Sequence, residues 1–353
     1  KNTEQQRTYP FPINGLWKRK NSVTLYSSLH SGNIFVIYKS DARNWVVQRI
    51  DPTGKVIWNR AFSDSERMDI TNVNLLQGNK LAFVKVADPF SRTAENEVVV
   101  LDGLTGNVVS SYRLYDEDSK STVDNVIVHD SAMYVAGRKF FANRVSRQRT
   151  DLPYLRQIES EQVTDHKLTS ALVNLKTYWM DVVTTNSGQR FLVGETFTNE
   201  SKGAYFLKGV ATGLMTLGMF SVTWTSMKFK QVAVIPLSNP DAPPLTLLQL
   251  EPRRVQLGSY TPAYPFAAYA YRTGQVRYWG SDNNNNLILM DGGYLKRRNL
   301  VTGALEELGP LPPSTSNQVV HTTEDYVIYL NVRPGYGLVE FNVVPFGNQD
   351  EIN

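Results

Sequence analysis

Cysteine is absent from the 353-residue chain. That excludes disulfides, thiolate metal sites and cysteine nucleophiles, and it suits an oxidising compartment, where stray thiols are a liability. Histidine is scarce: His30, His129, His166 and His321 stand far apart, and three of them (His30, His129, His321) read as turn residues, so they are not expected to share a metal. No charge of one sign dominates. The net +4 is too small to mark a nucleic-acid binder by charge alone. The serine-hydrolase elbow, the phosphate loop and the paired-histidine zinc helix are all missing. The acidic run Asp116 to Asp118 lacks the glycine and spacing of a calcium loop. The expectation is therefore no metal, no cofactor and no assigned catalytic residue, although a site assembled from several repeats would not show in a linear motif.

Long apolar runs are missing too, with one exception. "AYFLKGVATGLMTLGMFSVTW", from Ala204 to Trp224, carries a single charge, Lys208. Its length would suit a bilayer helix, but Thr212-Gly213 in the middle reads as a turn between two strands.

What is present is a recurring turn. "RIDPTGKVIW" (Arg49 to Trp58) is an apolar strand, a Thr-Gly turn and a second strand, the pattern of a hairpin. Thr-Gly recurs at Thr53-Gly54, Thr105-Gly106, Thr212-Gly213, Thr273-Gly274 and Thr302-Gly303, each with apolar flanks. A second kind of hairpin recurs seven times, its outgoing strand starting near Asn33, Lys80, Ala132, Arg190, Leu245, Leu287 and Tyr326. Four short strands repeated about every 49 residues predict an all-β fold, a seven-bladed β-propeller of four-stranded antiparallel blades. Strand runs such as "NIFVIY", "EVVVL" and "NLILM" are apolar on both faces, as blades packed on two neighbours require. The domain reading is an N-terminal segment over 1–21, one propeller over 22–346 and a tail over 347–353. Gly15 to Lys20 would supply the outer strand of the last blade and close the ring, because an open edge invites association.

The turn residues carry a resemblance. Asp51, Thr53, Gly54 and Trp58, with Asp102, Thr105 and Gly106 in the next copy, resemble the quinoprotein-like (PQQ-like) and WD40-like propeller repeat. The resemblance implies a packing device, with the tryptophan docked between blades and the glycine making the turn. The quinone-dependent members typically have eight blades and a calcium site; seven blades without cysteine are more similar to the non-catalytic bacterial envelope members, among them an outer-membrane assembly lipoprotein.

Long connections predict the working face. The largest is a proposed insertion at 138–170, in which Arg144, Arg147, Arg149, Tyr154 and Arg156 mix cations with an aromatic ring, and "PYLRQIESEQV" suggests a helix start. Arg253, Arg254, Tyr260 and Tyr264 form a second such patch. Arginine with aromatics is the composition of protein-interface hot spots. The leading functional expectation is thus a non-catalytic interaction scaffold, periplasmic or secreted, docking a protein partner within an outer-membrane assembly or secretion complex; nucleic acid is the weaker partner. The alternative is a propeller that binds or cleaves polysaccharide at its central channel. Carboxylates and aromatics converging in a central funnel would favour that alternative, and a plugged channel with a flat patch at blades two to five would favour the scaffold.

Overall fold

A computed structural model describes residues 23–27, 34–40, 43–51, 53–63, 68–87, 95–114, 120–142, 149–160, 162–168, 176–216, 224–238, 246–258, 263–282, 284–311, 316–323, 325–333 and 338–346. The proposed closing strand at 15–20, the tail, His30 and the acidic run at 116–118 lie outside these. The chain divides into two compact units, one of residues 1–152 with 156–164, the other of 153–155 with 165–353.

The fold is all-β and of propeller type: consecutive antiparallel meanders, each a blade. In the first unit, β1 (Val23–Ser27), β2 (Ile34–Lys39), β3 (Asn44–Ile50) and β4 (Val56–Ser63) form one sheet in chain order. The second blade is β5 (Met68–Leu76), β6 (Lys80–Ala87), β7 (Glu95–Asp102) and β8 (Val108–Arg113). The third is β9 (Lys120–His129), β10 (Ala132–Ala142), β11 (Arg149–Glu159) and β12 (Gln162–Lys167). Phe35, Ile37, Trp45 and Val47 of the first blade pack on Met68, Leu81, Phe83 and Val99 of the second. Apolar residues on both faces of the inner strands are what let one blade sandwich between neighbours.

Two of the Thr-Gly turns here share one construction, and the second joins two blades. Asp51 Oδ1 accepts from the Thr53 hydroxyl at 2.6 Å and from the N–H groups of Thr53 and Lys55 at 2.8 and 3.0 Å. Asp102 does the same for Leu104 and Thr105. Gly54 and Gly106 take φ of 88° and 75°, which a residue with a Cβ adopts only at a cost. The Trp58 indole donates to the Gly103 carbonyl at 3.0 Å, and its ring sits so close that a Cβ on Gly106 would meet it at 2.8 Å. The motif is thus an inter-blade clamp: the carboxylate shapes the turn and the turn seats the indole of the preceding blade.

These hydrogen bonds hold both aspartates below the ordinary carboxylate range, through the Thr53 hydroxyl first at Asp51 and the Thr105 N–H first at Asp102. Their ionised turns therefore stabilise the fold above the unfolded aspartate value, near 3.9, and that contribution is lost as pH falls through the lower folded values. Thermal melts should drop on acidification below about pH 4, and the double change Asp51→Asn with Asp102→Asn should flatten that drop. An unchanged acid profile in the double variant would mean the turns do not carry it.

The second unit holds three sheets. The first is β13 (Thr177–Thr184), β14 (Arg190–Asn199), β15 (Thr225–Pro236) and β16 (Thr246–Leu257). Next comes β17 (Tyr278–Ser281), β18 (Asn286–Asp291), β19 (Tyr294–Asn299) and β20 (Leu305–Pro310). The last is β21 (Ser316–Thr322), β22 (Tyr326–Arg333) and β23 (Leu338–Pro345). Among the described residues two helices interrupt the strands: α1 (Lys202–Met215) between β14 and β15, and α2 (Ala263–Arg272) between β16 and β17. One core joins the first of these sheets, α2 and the second sheet, through Phe197, Phe229, Phe266, Tyr278 and Leu287. Another joins the second and third through Trp279, Ile288, Val327 and Tyr329.

The described residues make six sheets, whereas the hairpin spacing predicts seven. The difference lies in 177–272. The strand expected near Leu245 as the second of a fifth copy is β16, the outer strand of the sheet begun by β13. Thr212-Gly213 lies inside α1, and Thr273-Gly274 ends α2 rather than turning a hairpin. Gly274 has φ 63°, its N–H bonds the Tyr271 carbonyl at 2.9 Å, and the Gln275 N–H bonds the Ala270 carbonyl at 2.7 Å. A glycine in the left-handed region closes a helix as well as a hairpin, so the dipeptide alone does not distinguish the two. Thr302-Gly303 is a true turn: Asn299 stands where the other copies have aspartate and accepts from Val301 and Thr302 at 2.9 and 2.8 Å.

Candidate functional site

The three first strands of the second unit, β13, β17 and β21, are the inner strands of their blades. Together with the end of α2 they line an open cleft of about 340 Å³. Asp181 enters from β13, Tyr271 and Arg272 from α2, Tyr278 and Trp279 from β17, and Val319 to Thr322 from β21. Irregularities in all three strands shape it. The pairing slips between Trp179 and Asp181, between Tyr278 and Gly280, and between Val319 and His321. Bulges of this kind re-aim side chains at inner edges.

The polar centre is a pair. The Tyr278 hydroxyl donates to Asp181 Oδ2 at 2.6 Å, while Asp181 Oδ1 accepts the Val182 N–H at 2.8 Å. Tyr271 donates to the Met180 carbonyl at 2.9 Å, and its ring lies 5.8 Å from that of Tyr178. Burial, reinforced by the nearby Asp181 charge, raises both phenols: Tyr271 above its usual value and Tyr278 well above it. Both phenols thus stay protonated and act as hydrogen-bond donors rather than as bases. Arg272 and His321 are exposed at the rim. A carboxylate, aromatic walls and the Arg272 guanidinium at the rim make a surface for a ligand with several hydroxyl groups.

A buried charge cluster fixes β17 behind the cleft. Glu195, on β14, is fully buried, and its Oε1 accepts the Arg277 N–H at 2.6 Å and the Tyr278 N–H as well. Arg277 Nε lies 3.6 Å from Glu195 Oε2, and Arg277 also donates to the Glu251 carbonyl at 2.6 Å. Burial pushes the Glu195 carboxyl up and the Arg277 guanidinium down, each opposed by the attraction of the other. Glu195 thereby holds the backbone of Tyr278, and so sets where its hydroxyl meets Asp181.

Among the described residues expected to form partner patches, Tyr154 and Arg156 are buried. The proposed insertion is mostly a strand pair, β11 and β12. Continuous burial of Tyr154, Leu155 and Arg156, with Ile158 beyond, is that of a strand covered on both faces, and it wins over the helix start at Pro153. Arg156 is buried and donates to the Arg113 carbonyl at 2.8 Å. Arg149 opens β11; Arg144 and Arg147 lie outside the described residues. In the other patch, Arg253 turns inward. It donates to the Val276 carbonyl at 3.1 Å and to the Asn317 carbonyl, and burial pushes its guanidinium down to about 10. Arg254 is exposed on β16, Tyr264 begins α2, and Tyr260 lies outside the described residues.

None of the cleft's polar residues stood out in the sequence. Asp181 sits in an apolar strand, and His321 reads as a turn residue. The signal that could have found them is the polar interruption of inner strands, Asp in "YWMDVV" and His in "VVHTT". No group of three or more metal-ligating side chains occurs among the described residues.

No protein-family model matches the chain, and no curated protein matches it in sequence. Solved structures resemble it remotely. The β-propeller domain of the Trilobed protease from Pyrococcus furiosus is 10% identical over 92% of this chain and 84% of that one, with a TM-score of 0.43. The polysaccharide lyase Uly1 is 9% identical over 93% and 78%, at 0.46. The fission yeast SREBP-SCAP binding domains are 11% identical over 97% and 76%, at 0.42. The quinoprotein-like resemblance rests on the turn residues alone.

Proposed function

We propose that this protein is an extracytoplasmic binding module whose inner-strand cleft takes a hydroxyl-rich ligand, a saccharide unit of a larger polysaccharide. The observation that carries this reading is the Asp181 carboxylate, held at 2.6 Å by the Tyr278 hydroxyl and set between aromatic walls. Sugar hydroxyls donate to carboxylates, and sugar rings stack on aromatic faces. The raised phenols support binding over cleavage, because neither tyrosine is poised to take a proton at neutral pH. The scaffold reading is less well supported, since Tyr154, Arg156 and Arg253 face inward.

The test is calorimetric titration with a panel of neutral and uronic-acid oligosaccharides, each also assayed for chain cleavage. At least one should bind without being cut. Asp181→Ala should weaken it about tenfold to a hundredfold, the worth of hydrogen bonds to a charged group, with the fold intact by thermal melt. Cleavage products lost in Asp181→Ala would replace binding with catalysis. If no saccharide binds, or if Asp181→Ala binds as the parent does, the proposal fails.

A further inference from the structure

Helix α1 has no buried residue along its 14 positions. Phe206, Leu207, Leu214 and Met215 are 67–86% exposed, and Val210 is 44% exposed. Phe206, Val210 and Leu214 fall at i, i+4 and i+8, with Leu207 beside them, so they make one continuous stripe. An apolar stripe of this kind facing water marks an interaction surface.

We propose that α1 lays this stripe onto the surface of an anionic lipid bilayer. Four observations favour lipid. First, α1 carries no acidic side chain. Second, the carboxylate at its head is neutralised: Glu200 pairs with Lys208 at 2.6 Å. Lys208 also donates to the Trp224 carbonyl at 3.4 Å, and its amine stands 5.0 Å over the Trp224 ring. Third, the neighbouring exposed side chains are cationic. Glu200 accepts the N–H of Ser226 at the start of β15; Lys228, about 7 Å further along the strand, is exposed, as are Lys230 and Arg254, and Arg254 pairs across from Lys228. Lys202, the first residue of α1, is exposed as well. Fourth, the stripe is small. A helix of this length spans about 21 Å, and a strip about 10 Å wide offers on the order of 200–300 Å², against about 800 Å² per partner in a stable protein complex. A bilayer needs no matching surface, and attraction to anionic headgroups adds to the apolar insertion.

The helix is tied to the sheet at its head. The Ser201 hydroxyl caps it by accepting the Ala204 N–H at 3.1 Å, and the Glu200–Lys208–Trp224 contacts hold it to the start of β15. At 14 residues it is too short to cross a hydrocarbon core, and no described helix is long and apolar enough to do so. It would lie in the interface, with the propeller face above it.

The test is co-sedimentation of the full chain with phosphatidylcholine vesicles, with and without phosphatidylglycerol, at low and high salt. The expected result is binding to the phosphatidylglycerol vesicles that weakens with salt. The triple variant Phe206→Ser, Leu207→Ser, Leu214→Ser should bind at least about a hundredfold more weakly. Its melt should match the parent's, because these side chains are exposed. A second variant, Lys228→Glu with Lys230→Glu, should lose the phosphatidylglycerol preference while leaving the helix untouched. The proposal is overturned if the parent binds neither vesicle, or if the triple variant binds as the parent does. It is equally overturned if sedimentation velocity without lipid shows the parent self-associated and the triple variant monomeric, since the stripe would then serve a second copy.

Discussion

Arg277→Met is expected to destabilise the second unit by about 3–5 kcal/mol, the largest effect of any single change outside the apolar core. Arg277 is 1% exposed and Glu195 is 0% exposed. Taking two charges out of water is costly, and their mutual attraction repays it only while both are present. Here the repayment is partial. Arg277 Nε and Glu195 Oε2 face each other at 3.6 Å, too far for a hydrogen bond, and neither has another partner among the described residues. Removing the guanidinium leaves Glu195 charged, buried and supported only by two backbone N–H groups and the more distant Arg253. The carboxyl must then take up a proton or be rehydrated. Adding Glu195→Gln should recover more than half of the loss, because the amide keeps an acceptor for the Arg277 and Tyr278 N–H groups and carries no charge. Equilibrium unfolding in guanidinium chloride measures both variants. Equal destabilisation in the single and double variants would mean that lost packing, and not the stranded charge, dominates.

The second large effect is at Gly274. Gly274→Ala is expected to cost about 2–4 kcal/mol and to deform the cleft. Gly274 stands at φ 63° just past α2, in the left-handed region that L residues adopt at a cost. A Cβ there would also overlap the Val319 carbonyl of β21, in the neighbouring blade. Gly188 supplies the control. It has φ 80° in the turn between β13 and β14, with open space where a Cβ would go. Gly188→Ala should therefore cost only the conformational part, about 1–2 kcal/mol. The excess at Gly274 reports the close approach of α2 to β21. Because Gly274 and Val319 both line the cleft, the same change should weaken any cleft ligand, whereas Gly188→Ala should leave its affinity unchanged. Equal stability losses at the two glycines would remove the inter-blade contact from the account.

The strands were legible because their physics is local. Apolar runs such as "NIFVIY" and "EVVVL" became β2 and β7, and turns with an Asx residue two or three positions before Thr-Gly became the hairpin turns at Gly54, Gly106 and Gly303. Where Thr-Gly lacked that preceding acceptor, as at Thr212-Gly213 and Thr273-Gly274, it lies within a helix or at its end. The absence of Asp or Asn there was visible, and it separates the two outcomes: the side-chain acceptor holds a hairpin turn, whereas a helix end satisfies its groups through backbone carbonyls. The basic segment at 138–170 misled for a different reason. Charge drew attention away from Tyr154, Leu155 and Ile158, which are buried along β11, and a strand can bury an arginine when a carbonyl such as that of Arg113 waits for it.

By itself the sequence determined the all-β class, the four-stranded repeat, the turn chemistry and the absence of thiol and common motif-borne chemistry, because each depends on residues adjacent along the chain. Only the tertiary structure decided which sheet each hairpin joins, and that the first part of the long apolar run, 204–215, is an exposed helix. It alone joined Asp181, Tyr278 and His321, separated by up to 140 residues, on three neighbouring inner strands. Those are long-range facts, fixed by which blade packs against which, and no spacing within one repeat encodes them.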